Sequence, residues 1–395
     1  MNSRDVLIET CLSSWTGFES GKLSARALSQ SAGVAVSSIY HHFGNMEQLF
    51  YVAHERALHW AEQWCAERLD DLSAHTAIPR HLGPLLAGLI DDWARDQRKA
   101  AIAWHECRLS ASRNEIYRPL AARWQRLWEE FWSNLCARIE ESVAVTAVSR
   151  FFEGESSFHL LEWRRLLDRA ALAESCAGWQ AWMEGRLAPA SPWRDHARAE
   201  AQKILPPLAD RDPIVRRLSE AAADLISRNG PSGLTHRALA DAANLSLGSV
   251  SNKLRSRSDL MNAAFEALYQ RMAPDGVDIW VRPPSMDRAD MIAAIAWGTV
   301  GDMEKLRGHD ELLMACVRDQ GLRPFGAQLR YMRGRSSQYV LPGLVGRPAS
   351  ETDAALFSSF MVGVKNFHMA EPSSPIRTAG VESDVLDLIK ILNDN

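Results

Sequence analysis

Two adjacent histidines and a tyrosine close the short segment AVSSIYHHFGN at residues 35–45. Imidazoles beside a phenol can ligate a metal, relay protons or donate hydrogen bonds to a polyanion. A metal is poorly served here, because neighbouring side chains on a helix diverge and no third ligand stands at a suitable spacing. The plainer reading is that His41 and His42 are ordinary, partly exposed histidines, with His42 packing beside Phe43.

Local signals define the elements that must carry these residues. Ser24 can cap a helix, its hydroxyl accepting from an otherwise unpaired first-turn amide. Leu28 and Ala32, four apart, put a small apolar face on that helix, and Gly33 follows where a left-handed residue ends it. A second short helix is expected from about residue 35 to 41, with Val34 and Ile39 inward and Phe43 closing the corner. Two short helices joined by a tight turn make a helix-turn-helix.

The same pattern recurs. Shifted by 211 residues, SARALSQSAGVAVSSI (24–39) lies ungapped over THRALADAANLSLGSV (235–250). Arg26, Ala27, Leu28, Ala32 and Ser38 fall on Arg237, Ala238, Leu239, Ala243 and Ser249, and Asn244 takes the place of Gly33. A second echo, shifted by 209, sets FFEGESSFHL (151–160) against FMVGVKNFHM (360–369). Two echoes at nearly one offset indicate a duplicated helical unit of roughly 190 residues.

The stretches LSARALSQSAGVAVSSIYHHFGNMEQLF and LTHRALADAANLSLGSVSNKLRSRSDLM resemble the DNA-binding region of the TetR family of transcriptional regulators. The resemblance implies an all-α fold of two tandem units. These are a helix-turn-helix at 1–50 with a helical ligand-binding and dimerisation region at 51–186, a linker at 187–212, then a second helix-turn-helix at 213–262 and a second helical region at 263–395. It implies that Tyr40 and His41 contact the sugar-phosphate backbone, that Ala35, Ser37 and Ser38 face base edges, and that Ser24 and Arg26 approach from the preceding helix. Carried to the second unit, the DNA-facing set is Thr235, Arg237, Leu247, Ser249, Ser251, Asn252, Lys253 and Arg257. Small and hydroxylic side chains suit a helix seated in a major groove about 12 Å wide.

Two departures bear on this. The family usually carries a lysine at the start of the fourth helix, where this chain has Met46 in the first unit and Arg257 in the second. Over 24–49 the formal charge is Arg26 against Glu47, which is zero. Over 235–260, Arg237, Lys253, Arg255 and Arg257 against Asp241 and Asp259 leave +2. The second unit thus has the better electrostatics for phosphate, but Ser251, Asn252 and Leu254 replace Tyr40, His41 and Phe43.

Regulators with one helix-turn-helix dimerise to read half-sites about 34 Å apart. A chain with two can act as a covalent pseudo-dimer on an imperfect palindrome, and a homodimer with four reading units is the alternative. In the family the last long helices form the dimer bundle; here those are about 118–143 with 146–185 and about 323–342 with 351–370. Gly154 and Gly363 would let such helices approach closely, or serve only local packing. Twelve of the fourteen tryptophans precede residue 194. Trp93, Trp104 and His105, with Glu106, are candidates to line a pocket for a small organic effector, against the commoner alternative that aromatic stripes such as Trp124, Trp128 and Trp132 are core. The basic stretch RPFGAQLRYMRGR (323–335) reads as a solvated helix face.

The 395 residues suffice for several cores, 46% apolar composition marks globular material, and a net charge of −4 means that nucleic-acid binding must be judged locally. Six cysteines without a Cys-x-x-Cys pair suggest reduced cytoplasmic thiols, and neither a signal peptide nor a run near ~20 apolar residues is found. Five of the seventeen prolines fall between residues 189 and 213, marking the linker. No phosphate-cradling glycine loop or zinc-protease motif is present, so neither an enzyme nor a cofactor is expected. The expected function is a ligand-responsive repressor released from a double-stranded DNA operator by its effector; the alternative is a helical interaction protein of the same fold that has lost DNA affinity.

Overall fold

The computed structural model describes residues 2–17, 23–72, 81–139, 145–204, 212–272, 286–371 and 373–393. Every regular element among them is helical, as the 3.6-residue periodicity requires. The first half contains α1 (Ser3–Trp15), α2 (Ala25–Ala32), α3 (Val36–Phe43), α4 (Met46–Asp71), α5 (Leu82–Arg95), α6 (Arg98–Arg113), α7 (Arg118–Arg138), α8 (Val145–His159) and α9 (Arg165–Met183). After α10 (Pro192–Lys203), the order runs again: α11 (Pro213–Asn229), α12 (His236–Ala243), α13 (Leu247–Lys253), α14 (Arg257–Met272), α15 (Arg288–Val300) and α16 (Met303–Arg318). The chain closes with α17 (Arg323–Tyr331), α18 (Ser337–Val345), α19 (Glu351–His368) and α20 (Ser374–Asn393). A short 3-10 turn precedes α7 at 115–117 and α17 at 320–322, capped by Asn114 and Asp319.

The halves differ where glycine and proline differ. The single helix α7 corresponds to two pieces, α17 and α18, broken at Gly334, which sits at φ 94° against the backbone of Ala354. The proline-rich stretch is not wholly extended. Pro192 starts α10, since proline is tolerated in a first turn, and Arg194, Ala197 and Ala201 of α10 are buried. Residues 205–211 of that stretch lie outside the described residues.

Most buried apolar residues form one core running through both halves, from Leu7 to Leu392, and a small second cluster gathers Ala171, Ala197, Ala201, Ala327 and Tyr331. Its seam is a four-helix bundle of α8 and α9 with α19 and α20. This corrects the expected pairing: α7 is not a bundle member, and the helix expected over 146–185 is broken between His159 and Arg165. At the α8–α19 crossing, a Cβ on Gly154 would strike the Ser359 carbonyl, and one on Gly363 would strike that of Arg150. The 209-residue shift maps Gly154 onto Gly363 and Arg150 onto Ser359, so one contact is made twice.

The α6–α16 crossing repeats the pattern with charge. Glu106 pairs with Arg318, and Glu311 pairs with Arg113 at 2.7 Å. A shift of 205 carries Glu106 onto Glu311 and Arg113 onto Arg318, which makes these two bridges equivalent. The stretch 323–335, read as a solvated face, keeps Arg323 and Arg335 exposed but buries the side chains of Arg330 and Arg333. Arg333 bonds Glu155 at 2.7 and 2.9 Å, and Arg330 donates to the carbonyls of Leu161 (3.1 Å) and Asp168 (3.0 Å). A buried cation is tolerated only with such partners, and these lie in the first half, out of reach of any local pattern.

Candidate nucleic-acid interface

In the first head, Ser24 Oγ accepts from the Ala27 amide at 3.1 Å and Gly33 turns the chain at φ 66°. That corner sets α3 across α2. Ile39 and Phe43 of α3 enter the core, which leaves Val36, Ser37, Tyr40 and His41 on one outward stripe, residues about one turn apart. Ala35 is exposed at the helix start, Ser38 is half-buried, and Arg26 is exposed on α2. Tyr40, 54% exposed, presents its phenol to solvent.

The two histidines part company. His42 turns back to Ser3, with Nε2 2.7 Å from Oγ, while His41 points outward. Of the pair, His41 is exposed and His42 is half-buried. Among the described residues no group of three His, Cys, Asp or Glu side chains is placed to hold a metal ion.

The second head repeats this geometry. Thr235 Oγ1 accepts from the Ala238 amide at 3.1 Å, and Asn244 makes the left-handed corner at φ 49°. Ser246 caps α13, accepting from the Ser249 amide at 3.1 Å. Val250 and Leu254 are buried, whereas Leu247, Ser251 and Asn252 are exposed and Ser249 is half-buried. An exposed leucine on a reading face can meet a thymine methyl. Arg237 is exposed on α12.

Two of the four cations over residues 235–260 are engaged inside the protein. Lys253 Nζ lies 2.6 Å from Asp212, the residue that also caps α11. Arg257 donates to the carbonyls of Pro231 at 2.8 Å and Leu234 at 3.2 Å. The electrostatic advantage of the second head therefore rests on Arg237 and Arg255. The Lys253–Asp212 tie parallels His42–Ser3, since Lys253 stands 211 residues after His42. In both heads the reading helix is pinned to the start of its first helix, a role that residue type alone does not announce.

Of the expected pocket residues, Trp104 lines a cleft. Trp93 is core, its ring 4.9 Å from that of Trp128 and 5.3 Å from that of Trp64. His105 is buried. Its Nδ1 accepts from Arg108 at 2.6 Å, and Nε2 faces Ser157 Oγ at 3.3 Å. Burial, followed by nearby Arg108, pushes its pKa well below the ordinary range, so the ring is neutral. Glu106 belongs to the α6–α16 seam. A small cleft between the halves, with room for about one water molecule, is lined by Trp104, Gln125, Trp128, Phe152 and Phe367 among others.

Paired short helices with a left-handed corner and a polar outward stripe define a helix-turn-helix DNA-binding head. Residues 20–52 match the family model described as bacterial regulatory proteins, tetR family, so the first head is similar to the DNA-binding head of that family. No curated protein matches the chain. Among the described residues no helix is long and apolar enough to cross a membrane.

Proposed function

We propose that this chain is a TetR-type repressor that works as a covalent pseudo-dimer, reading an operator of two unequal halves and leaving it when a small organic effector binds. The observation that carries the reading is the seam. Glycine crossings and Glu–Arg bridges recur in reciprocal pairs, the arrangement that a two-fold interface between identical subunits must have. A chain that supplies both sides of such an interface holds two heads in fixed register. The outward stripes differ, with Tyr40 and His41 in one and Ser251 and Asn252 in the other, so the half-sites differ too.

The seam also gives the effector a lever. Arg318 on α16 donates to the Trp15 carbonyl at 2.7 Å, at the end of the first helix of the first head. Arg307, also on α16, donates to the carbonyls of Ser227 at 3.2 Å and Ser112 at 3.4 Å. A shift of α6 against α16 therefore changes head spacing, and an effector that favours the shifted state depopulates the DNA-binding one.

Footprinting on the DNA upstream of its own gene, with solution mass and salt dependence recorded together, tests this. A monomer protecting one two-part site, with a log-log salt slope of about 0.9 per neutralised phosphate, is the expected result. A dimer on a longer site would remove the pseudo-dimer and keep the regulator. One observation favours a second reading, a helical interaction protein: the zero formal charge of residues 24–49, with Met46 packed against the core at the position of the family's lysine. Absence of binding at low salt would decide for it.

A further inference from the structure

Four positions are exposed in both reading helices, and the 211-residue shift pairs them one by one. Three change chemistry: Ser37 becomes Gly248, Tyr40 becomes Ser251, and His41 becomes Asn252. The fourth does not. Val36 and Leu247, the first residues of α3 and α13, are both branched aliphatic side chains, and they stand 38% and 52% exposed.

Core packing is supplied by other residues of the same segments. Val34, Ile39 and Phe43 pack in the first head, and their counterparts Leu245, Val250 and Leu254 pack in the second. An aliphatic side chain kept on the outward face of both heads, where the polar positions have diverged, points to a shared contact outside the protein. A helix-turn-helix presents the first residues of its second helix to base edges. A side chain with neither donor nor acceptor can recognise one feature of the major groove, the C5 methyl of thymine. Over any other base edge it would leave donors or acceptors without a partner, which costs binding energy.

We infer that Val36 and Leu247 are specificity-determining residues, each reading the methyl group of one thymine, so that the two operator halves share a thymine at matching positions although they differ elsewhere. The inference rests on the regulator reading. Because the seam relates the halves as a two-fold interface would, the two thymines lie on opposite strands at equal distance from the operator centre.

Selection of duplexes from a random pool by the full chain supplies the DNA for the test. Each thymine of the selected duplex is then replaced in turn by deoxyuridine, which removes the methyl and keeps the base pair, and affinity is read by fluorescence anisotropy at fixed salt. The wild type should lose about fourfold at one thymine in each half, the worth of one buried carbon. In Val36→Ala one of those two replacements should cease to matter while the other keeps its effect, and Leu247→Ala should show the reverse. Both variants shorten solvent-facing side chains and should melt with the wild type. Leu386→Ala on α20, comparably exposed at 43%, should leave both replacements as costly as before. No deoxyuridine effect in either half, or effects that survive in both reading-helix variants, would overturn the inference while the regulator stands. Sensitive thymines at unequal distances from the centre would overturn the matching positions. A pool that yields no enriched duplex would sink the regulator reading itself, and the thymine assignment with it.

Discussion

Adding one methyl group at either seam glycine tests whether α8 and α19 meet as two subunits would. In Gly154→Ala the new Cβ would lie 2.8 Å from the Ser359 carbonyl carbon and 2.9 Å from the Gly363 nitrogen. Ordinary carbon contacts sit at about 3.5–4.0 Å, so the helices must part by about 1 Å. The obstacle is backbone and cannot rotate away. Overpacking of this kind costs about 1–3 kcal/mol, against about 0.5–1 kcal/mol gained from alanine in a helix. The difference leaves a net loss of up to about 2.5 kcal/mol, toward its upper end because the clash is with backbone. Gly363→Ala meets Arg150 in the same way and should cost about as much. The double variant should cost less than the sum, because one separation relieves both clashes. Gly88→Ala on α5 is the control: it is exposed, with nothing within 4 Å of the added carbon, and should be neutral or stabilising. Urea unfolding followed by tryptophan fluorescence gives the stabilities, and operator affinity reports head spacing. If Gly154→Ala proved as harmless as Gly88→Ala, the close seam would be wrong. Strict additivity of the two seam variants would deny that they share one crossing.

Other consequences are as direct. Arg26→Ala and Arg237→Ala should each lower the salt slope of DNA binding by about 0.9. Arg257→Ala should instead cost stability in thermal melts, since its guanidinium is bonded to the Pro231 and Leu234 carbonyls. Ser24→Ala and Thr235→Ala should each cost about 1 kcal/mol in urea titrations through loss of a cap; no loss would deny the capping bonds. Burial raises the Glu311 pKa to about 7, with nearby Glu106 adding to it and Arg113 opposing. The proton it holds stabilises the fold fully below pH 4.5, and that stability is lost as pH rises through about 7. Glu311→Gln should therefore gain on the wild type between those values, on the order of 3 kcal/mol at most; a parallel pH profile for the two proteins would contradict the shift.

The helix-turn-helix was legible because its signals are local. A cap bond spans three residues, as from Ser24 to Ala27, and a left-handed corner needs only Gly33 or Asn244. Ile39 and Phe43 follow from a 3.6-residue period, which leaves Tyr40 and His41 outside. The repeat was legible for a different reason: two offsets that nearly agree are a property of the string itself, and the order of the helices follows them.

What the string could not say is which charges find partners. Arg330 and Arg333 look like a solvated face until Asp168 and Glu155 arrive from the other half, more than 150 residues away. Lys253 and Arg257 carry the charge that phosphate contact wants, yet Asp212 and two carbonyls hold them. Trp93 and Trp104 are alike in sequence, and only packing makes one core and the other a cleft wall. Sequence by itself determined the helices, their caps and their repetition, because those depend on neighbours along the chain. Tertiary structure decided the seam and the buried charge pairs, because burying a charge depends on groups that only folding brings together.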